Sequence, residues 1–465
     1  MNFMGIDVGT TSVKTAVFNE KLEMLEASNV DYTIDAHDDI VEFEAEKYWE
    51  IVKDEITRLK LPVDALAIDT QCETLILTDD NGVPVRRAIV WLDNRATAEA
   101  KLIEEHFGRK RVYEVTGQPE ITATWPACKL LWVKRNEPEV WEKTKKVFLL
   151  EDYLLYKLTG KFVTEKTLQS STIYFDIKKA QWWKEMLEFV GVDENMLPRL
   201  CDSGEYVGDY NGIKVVTGAM DQVSGAIGAG VIKKGIVSEM TGTTMVIFSP
   251  CDTVPEFSKD SIIPCHYNYD GKYCLLTWSS TAGMALKWFK NAFCEEYSFK
   301  DLDILAEKVA PGCDGLTFLP YLCGSTMPKY NPLARGSFTG LTPEHTRGHF
   351  VRSIMEAISC TLKENLDYLN PNITEIRAMG GGANSSLWCQ MKADMTRKTM
   401  VTLENGETAC LGGAILAAVG IGVFKSVEDA ADMIKIKKAY TPGDTDYSGA
   451  YQNYIKADQI LNVRQ

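Results

Sequence analysis

The chain has 465 residues, which is more than one hydrophobic core usually serves, so two domains are expected. Its formal charge of −15 at pH 7 argues against non-specific binding to nucleic acid or anionic membranes, since both need clustered Lys and Arg. No run of 18 apolar residues and no signal-peptide pattern occurs, which predicts a cytoplasmic protein without a membrane partner.

The cysteines and histidines indicate little metal or redox chemistry. The twelve cysteines are scattered without a C-x-x-C pair, and there are five histidines. Reduced thiols, mostly in the core, are therefore expected rather than disulfides or a zinc site. A catalytic or metal cluster based on histidine is not expected.

Two segments half a chain apart share one pattern, in which a strand, a Gly-Thr-Thr turn and a second strand follow one another. The segments are residues 4–18 and 238–248. Their spacing indicates an internal duplication that produced two similarly folded halves. Glycines and paired lysines at 228–234 mark the division, which predicts an N-terminal domain at 1–230 and a C-terminal domain at 231–465.

The remaining elements alternate between strand and helix patterns, as in an α/β protein. Short apolar runs bounded by turn residues predict strands at 65–68, 75–77, 88–91 and 214–217. Apolar residues at a spacing of four predict a helix at 348–366, and an aromatic stripe predicts a last helix around 447–455. Both helices are expected to pack in the core.

The first Gly-Thr-Thr turn has the residues that a phosphate-binding turn needs. Gly9 lets the backbone turn tightly, and hydroxyl and N–H groups follow it that can bind phosphate oxygens. The candidate ATP-binding residues here are Thr10, Thr11, Ser12 and Lys14. Asp7, at the end of the preceding strand, is predicted to hold Mg²⁺ through water. One such turn is also typical of an ordinary hairpin, but two of them favour a nucleotide site.

Two further segments carry candidate nucleotide contacts. The second turn, Gly242, Thr243 and Thr244, would bind the nucleotide from the opposite side. A glycine-rich stretch before a predicted helix would let the backbone approach phosphate or ribose closely; its candidate residues are Gly381, Gly382, Ala383 and Asn384. The chain has neither a Walker loop nor a G-x-G-x-x-G fingerprint, so the nucleotide site is of another kind.

Asp221 is the candidate general base. It follows the predicted strand at 214–217, which places a carboxylate where α/β proteins keep their active sites. A carboxylate there could accept the proton of an attacking hydroxyl. The same position also suits an aspartate that opens a helix, and both roles are compatible.

Several motifs in order along the chain resemble the FGGY carbohydrate kinases, the family of xylulokinase and glycerol kinase. They include Trp91-x-Asp93-x-Arg95 and Gly218-x-x-Asp221-Gln222 beside the two Gly-Thr-Thr turns. The most specific motif is Gly336-x-Phe338-x-Gly340-Leu341, followed after seven residues by His349-Phe350-x-x-Ser353-Ile354-Met355-Glu356. The resemblance runs nearly from end to end.

The resemblance implies an α/β fold of two ribonuclease H-like (actin-like ATPase) domains with ATP and sugar in the inter-domain cleft. It implies that the second domain holds most of the ATP, that Mg²⁺ assists, and that Asp221 is the catalytic base. Closing the cleft would exclude water and protect the phosphoryl group from hydrolysis. A homodimer is one expected assembly, since symmetric dimers are common.

The residues of the acceptor pocket determine which substrate is phosphorylated. The predicted members of the pocket are Gln71, Cys72, Glu73, Trp91, Asp93 and Gln222. Xylulokinases typically show Gln-Met-His-Gly where this chain has Gln71-Cys72-Glu73, and glycerol kinases show Gln-Arg-Glu, so the segment resembles glycerol kinases more closely. Residues 126–138, in contrast, resemble xylulokinases. A ketopentose is the expected acceptor, with glycerol, another polyol or a sugar acid as alternatives.

Two functions of other classes share this fold. An actin-like ATPase would move a protein partner and phosphorylate no small acceptor, and a sugar sensor would bind without transfer. Neither is favoured, because Asp7, Asp221 and both turns supply every group that phosphoryl transfer requires.

Overall fold

A computed structural model describes residues 1–258, 263–369 and 372–461. In chain order, the first half contains β1 (Asn2–Val8), β2 (Ser12–Asn19), β3 (Met24–Asp31), β4 (Asp35–His37), β5 (Ile40–Phe43), α1 (Ala45–Arg58), β6 (Ala65–Thr70), β7 (Leu75–Thr78), β8 (Ala88–Ile89), α2 (Thr97–Thr116), α3 (Pro126–Asn136), α4 (Pro138–Lys143), β9 (Lys146–Leu149), α5 (Leu150–Thr159), β10 (Val163–Glu165), α6 (Lys166–Gln169), β11 (Phe175–Asp176), β12 (Gln181–Trp182), α7 (Lys184–Val190), β13 (Arg199–Cys201), β14 (Tyr206–Tyr210), β15 (Ile213–Met220) and α8 (Asp221–Gly228).

The second half repeats the mixture of strands and helices. It contains β16 (Ile236–Thr241), β17 (Met245–Cys251), β18 (Cys265–Tyr267), β19 (Tyr273–Ser279), α9 (Gly283–Phe293), α10 (Phe299–Glu307), β20 (Thr317–Leu319), β21 (Ser337–Thr339), α11 (Arg347–Leu369), β22 (Glu375–Met379), α12 (Ser386–Thr396), β23 (Thr399–Leu403), α13 (Thr408–Gly420), α14 (Val427–Ala431), β24 (Ile436–Tyr440) and α15 (Ser448–Leu461).

The main sheet of each half has the same plan at its centre. In the first, β1, β2 and β3 form an antiparallel meander, and β6 and β15 continue the sheet parallel to β1. In the second, β16, β17 and β19 form the meander, and β22 and β23 continue it parallel to β16. The prediction of two similarly folded halves is therefore confirmed: both are α/β units with parallel strands ending at one edge.

Burial explains the sequence of the central strands. All six residues of β6 are buried, as expected of a parallel strand covered on both faces, and its sequence is correspondingly apolar up to Asp69. The strands predicted at 65–68, 75–77 and 214–217 are confirmed as β6, β7 and β15. The strand predicted at 88–91 ends earlier, at Ile89, because the Asp93 N–H donates to the Val90 carbonyl and turns the chain.

Helix α13 comes from the second half of the sequence but lies on the first sheet, where it contacts β1, β6 and α8. Its sequence is apolar on all sides because it is buried between these elements. A Cβ atom at Gly412 would lie 1.9 Å from the carbonyl oxygen of Ser224 in α8, so only glycine allows this contact. The domain boundary near residue 230 stays a prediction, and α13 packs across it.

The helices predicted at 348–366 and near the C-terminus are confirmed as α11 and α15. Both pack in the core of the second unit, as expected. Among the residues that the structure describes, no helix combines the length and apolar character needed to span a membrane.

Candidate active site

The first Gly-Thr-Thr turn joins β1 to β2 at the edge where β6 and β15 also end. The Gly9 N–H donates to the Ser12 carbonyl at 3.0 Å, which closes the turn. The Trp91 indole N–H donates to Thr10 Oγ1 at 2.9 Å. The Thr11 side chain is exposed, while Thr10 and Ser12 are half-buried. The turn is therefore held in place while its hydroxyls stay near the protein surface.

Asp7 and Lys14 face each other across the same hairpin, where they are register partners. Burial raises the pKa of Asp7 to about 6, opposed by the ammonium group of Lys14. Lys14 Nζ lies 3.2 Å from Glu407 Oε2, so its charge is shared with a residue of the second half. Lys14, a predicted ATP-binding residue, therefore has an ion-pair partner, Glu407, that the local sequence did not indicate.

The second turn joins β16 to β17. Its Gly242 N–H donates to the Thr244 carbonyl at 2.9 Å, and the Gly283 N–H at the start of α9 donates to the Gly242 carbonyl at 2.9 Å. The side chains of Thr243 and Thr244 are exposed. The turn is therefore anchored from behind, and its two hydroxyls remain available to a ligand.

The glycine-rich stretch lies beside this second turn. Because β16 and β22 are parallel and Met240 pairs with Met379, the turns that follow them emerge at the same edge. Residues Gly381–Asn384 form a 3₁₀ turn. A Cβ atom at Gly382 would lie 2.7 Å from Thr241 Cβ, so glycine is needed for the two turns to meet.

The start of α13 connects the two halves at this place. Glu407 is paired with Lys14 of the first hairpin, and the next residue, Thr408, places its Oγ1 3.2 Å from the Met379 sulfur at the end of β22. Residues 407–408 therefore link the first hairpin to the end of β22, the strand that leads into the glycine-rich stretch.

Asp221 is the first residue of α8, directly after β15. Its Oδ1 accepts hydrogen bonds from the Gln222 N–H at 2.8 Å and from the Cys72 thiol at 3.5 Å. Burial, and next the carboxylate of Asp7, raises the pKa of Asp221 to about 7. A carboxylate with this pKa can accept a proton near neutral pH, which suits a general base.

The loop after β6 brings three of the predicted acceptor residues next to Asp221. Gln71 is held by its Nε2, which donates to the Tyr48 hydroxyl at 3.0 Å, while its buried Oε1 has no partner among the described residues. Cys72 contacts Asp221 as above. Glu73 has a φ of 57°, in the left-handed region, and burial raises its pKa.

Two predicted acceptor residues lie differently. The Trp91 indole is hydrogen-bonded to Thr10, so Trp91 lies between the loop after β6 and the first Gly-Thr-Thr turn. The carboxylate of Asp93 is fully buried and accepts hydrogen bonds from the Arg95 guanidinium and from the Val41 N–H at 2.6 Å. Both oxygens of Asp93 are thus occupied within the first unit, so the structure does not present this carboxylate to a ligand.

Two buried residues of the site were missed in the sequence. Asp69 precedes the acceptor loop, is register partner of Asp7, and has both carboxylate oxygens without a partner in the described residues; burial and then the Asp7 carboxylate raise its pKa. Lys129 of α3 is fully buried beneath Glu73. The signal for Lys129 was a lysine inside the apolar run 127–133, which indicates an inward-facing charge.

The arrangement fits a magnesium nucleotide. No group of three or more His, Cys, Asp or Glu side chains in the described ranges is placed to hold a metal ion alone. Mg²⁺ at kinase sites usually takes one or two carboxylates together with phosphate oxygens and water. Asp7, half-buried beside the first Gly-Thr-Thr turn, is the residue that fits this role.

Two similar α/β units, each with a Gly-Thr-Thr turn at the edge of its main sheet, suit a phosphoryl-transfer protein, and comparison with known sequences shows the family. Residues 2–230 match the N-terminal domain model of the FGGY family of carbohydrate kinases, and residues 243–421 match its C-terminal domain model. The chain belongs to the FGGY family of carbohydrate kinases.

Relatives that are named for different activities match this chain at similar sequence identity. A xylulose kinase of Lactococcus lactis subsp. lactis is 30% identical, covering 91% of this chain and 89% of that protein. A gluconokinase of Bacillus subtilis is 28% identical, covering 94% and 91%. The solved structure of Plasmodium falciparum glycerol kinase with ADP matches with a TM-score of 0.91 at 22% identity, covering 100% and 99%, and confirms the fold.

Proposed function

We propose that this carbohydrate kinase transfers the γ-phosphoryl group of ATP to a hydroxyl of a ketopentose, with xylulose as the representative acceptor. The observation that carries the proposal is Asp221, a half-buried carboxylate at the start of α8 with its pKa raised to about 7, lying against the acceptor loop. Family membership supplies the reaction class, and this carboxylate supplies the group that activates a hydroxyl.

ATP with Mg²⁺ supplies the phosphoryl group when bound. Asp221 accepts the proton of the acceptor hydroxyl as the oxygen attacks phosphorus. The turns at Thr10–Ser12 and Thr243–Thr244, with Lys14, would bind phosphate oxygens, and Asp7 would hold Mg²⁺, which would neutralise charge on the phosphates. The glycine-rich stretch, residues 381–384, contacts the nucleotide. Gln71, Cys72, Glu73, Trp91 and Gln222 orient the acceptor.

Charge in the pocket supports a neutral acceptor over a sugar acid. Carboxylates of Asp221 and Glu73 lie at the acceptor loop. The ammonium of Lys129 faces Glu73, but its Nζ already donates to the carbonyls of Glu73 and Val90. A gluconate carboxylate would lie beside these two carboxyl groups, and its negative charge would oppose the ionisation of Asp221 that a general base needs. Glycerol or another polyol remains the second candidate, because Gln71 and Glu73 resemble the glycerol kinase pattern.

An acceptor panel tests the proposal. ADP release with Mg-ATP would be measured against pentuloses, hexuloses, tetruloses, glycerol, alditols and aldonates. We expect strong stimulation by a ketopentose and none by an aldonate. Stimulation by glycerol alone would replace the ketopentose with a polyol, and tight ATP binding without any stimulation would contradict kinase activity and favour a sensor.

Glu73→Ala should raise the KM for the acceptor by about 10- to 100-fold, because a hydrogen-bonding partner of the sugar is lost. The KM for ATP should change little, since Glu73 belongs to the acceptor loop. Initial rates with each substrate varied in turn measure both constants. Exposed Glu44→Ala, which lies before α1, is the control, and unchanged acceptor KM and specificity in Glu73→Ala would contradict the pocket assignment.

A further inference from the structure

Lys129 occupies an unusual place for a lysine. Helix α3 is buried along nearly its whole length, from Pro126 to Val133, so the side chain of Lys129 has no path to solvent. It is fully buried, whereas lysines are almost never buried without partners. Burial accordingly lowers the pKa of this ammonium, and the carboxylate of Glu73 opposes that effect.

The partners of Lys129 are two main-chain carbonyls from different segments. Its Nζ donates to the Glu73 carbonyl at 3.1 Å and to the Val90 carbonyl at 3.0 Å. Glu73 ends the acceptor loop that also contains Cys72, the thiol on Asp221. Val90 precedes Trp91, whose indole is bonded to Thr10. One ammonium group thus joins the loop after β6 to the loop after β8.

The local backbone needs such a connection. Glu73 has a φ of 57°, a conformation that costs a non-glycine residue free energy and persists only when its surroundings hold it. A carbonyl bonded to a charged donor is held more firmly than one bonded to a neutral donor. Trp91 is fixed separately, since Thr124 Oγ1 donates to the Trp91 carbonyl at 2.6 Å.

We infer that Lys129 is a positioning residue of the acceptor pocket, which holds the loop of Gln71–Glu73 and the Val90–Trp91 segment at a fixed distance through their carbonyls. The inference rests on the proposed kinase function and adds to it a residue that acts through others. Lys129 touches neither substrate; it sets where Glu73 and Trp91 meet the sugar. The nucleotide turns of the second unit are anchored by other residues, such as Gly283.

The experiment compares Lys129→Met with the matched control Lys134→Met, which makes the same change at an exposed position of the same helix. Methionine keeps the volume of the side chain but removes the donor to the Glu73 carbonyl and leaves the Val90 carbonyl with only the Asp93 N–H. The link between the two loops is then lost, and the loops should separate. We expect the acceptor KM to rise about tenfold or more and kcat to fall, with the KM for ATP within about twofold of wild type. Lys134→Met should behave as wild type.

Lys129→Gln covers the case in which Lys129→Met does not fold, because glutamine retains an N–H donor for one carbonyl. Its acceptor KM should lie between those of wild type and Lys129→Met. A folded variant with wild-type acceptor KM, or with both substrate KM values raised equally, would overturn the positioning role while the kinase stands. A wild-type enzyme that phosphorylates no acceptor of the panel would overturn the proposed function, and this inference with it.

Discussion

Asp221→Asn is expected to lower kcat by about 10²- to 10⁴-fold, the contribution of a positioned general base. Asparagine keeps the shape of the side chain and can still accept the hydrogen bond of the Gln222 N–H, but it cannot take the proton of the acceptor hydroxyl. Steady-state rates with the acceptor identified by the panel measure the loss.

Two controls separate chemistry from folding. Asp54→Asn removes a charge from the exposed face of α1 and should leave kcat unchanged. Calorimetric titration of Asp221→Asn with Mg-ATP should give a dissociation constant close to that of wild type, because Asp221 lies on the acceptor side. A variant that turns over at a near-normal rate would exclude Asp221 as the base.

The same residue gives the wild-type enzyme a defined pH dependence. The base must be ionised to act, and burial with the neighbouring Asp7 raises the pKa of Asp221 to about 7. The value of kcat/KM should therefore fall about tenfold per pH unit below pH 7 and level off above it. This dependence should be absent in Asp221→Asn, and a wild-type profile that is flat between pH 5 and 7 would contradict the assignment.

The fold could be predicted from the sequence because its evidence is local or repeated. The pattern of a strand, a Gly-Thr-Thr turn and a second strand occurs twice. A few residues are enough to identify a turn. Asp221 was likewise chosen as the candidate general base from its place after β15, because active sites of α/β proteins form at the ends of parallel strands. Homodimer formation stays a prediction, because it depends on surfaces that a single chain does not test.

Contacts between distant segments could not be predicted in this way. Asp93 was assigned to the acceptor pocket from its motif, yet Arg95, two positions away, and Val41, from another strand, occupy its carboxylate. Lys14 was assigned to ATP without its partner Glu407, because nothing in a single sequence relates residues so far apart. Charge pairs of this kind depend on tertiary packing. Secondary-structure propensities and motif spacing contain no information about such packing.

A buried ion pair beneath the second turn is another such contact. Lys392 of α12 and Glu239 of β16 are both essentially inaccessible to solvent, with Nζ 2.9 and 3.0 Å from the two carboxylate oxygens. Lys392 also donates to Thr241 Oγ1 at 2.7 Å, and Thr241 directly precedes Gly242 and contacts Gly382. The pair thus joins both segments of the second unit that are predicted to bind the nucleotide.

Lys392→Met should lower the free energy of unfolding by about 3–5 kcal/mol, because removing one partner leaves a buried carboxylate without its counter-charge. Binding of Mg-ATP should weaken as well, since Thr241 loses a donor that orients the two turns. Urea denaturation of the full chain, followed by calorimetric titration with Mg-ATP, measures the two effects.

The matched control is Lys363→Met, which breaks a partly exposed ion pair with Asp367 on α11 and should cost about 0.5 kcal/mol or less. The double variant Glu239→Gln/Lys392→Met should be more stable than Lys392→Met, because the unpaired charge is then removed together with its partner. If Lys392→Met unfolds at the same urea concentration as Lys363→Met, the pair does not hold the nucleotide segments together, and packing of Gly382 on Thr241 would have to do so alone.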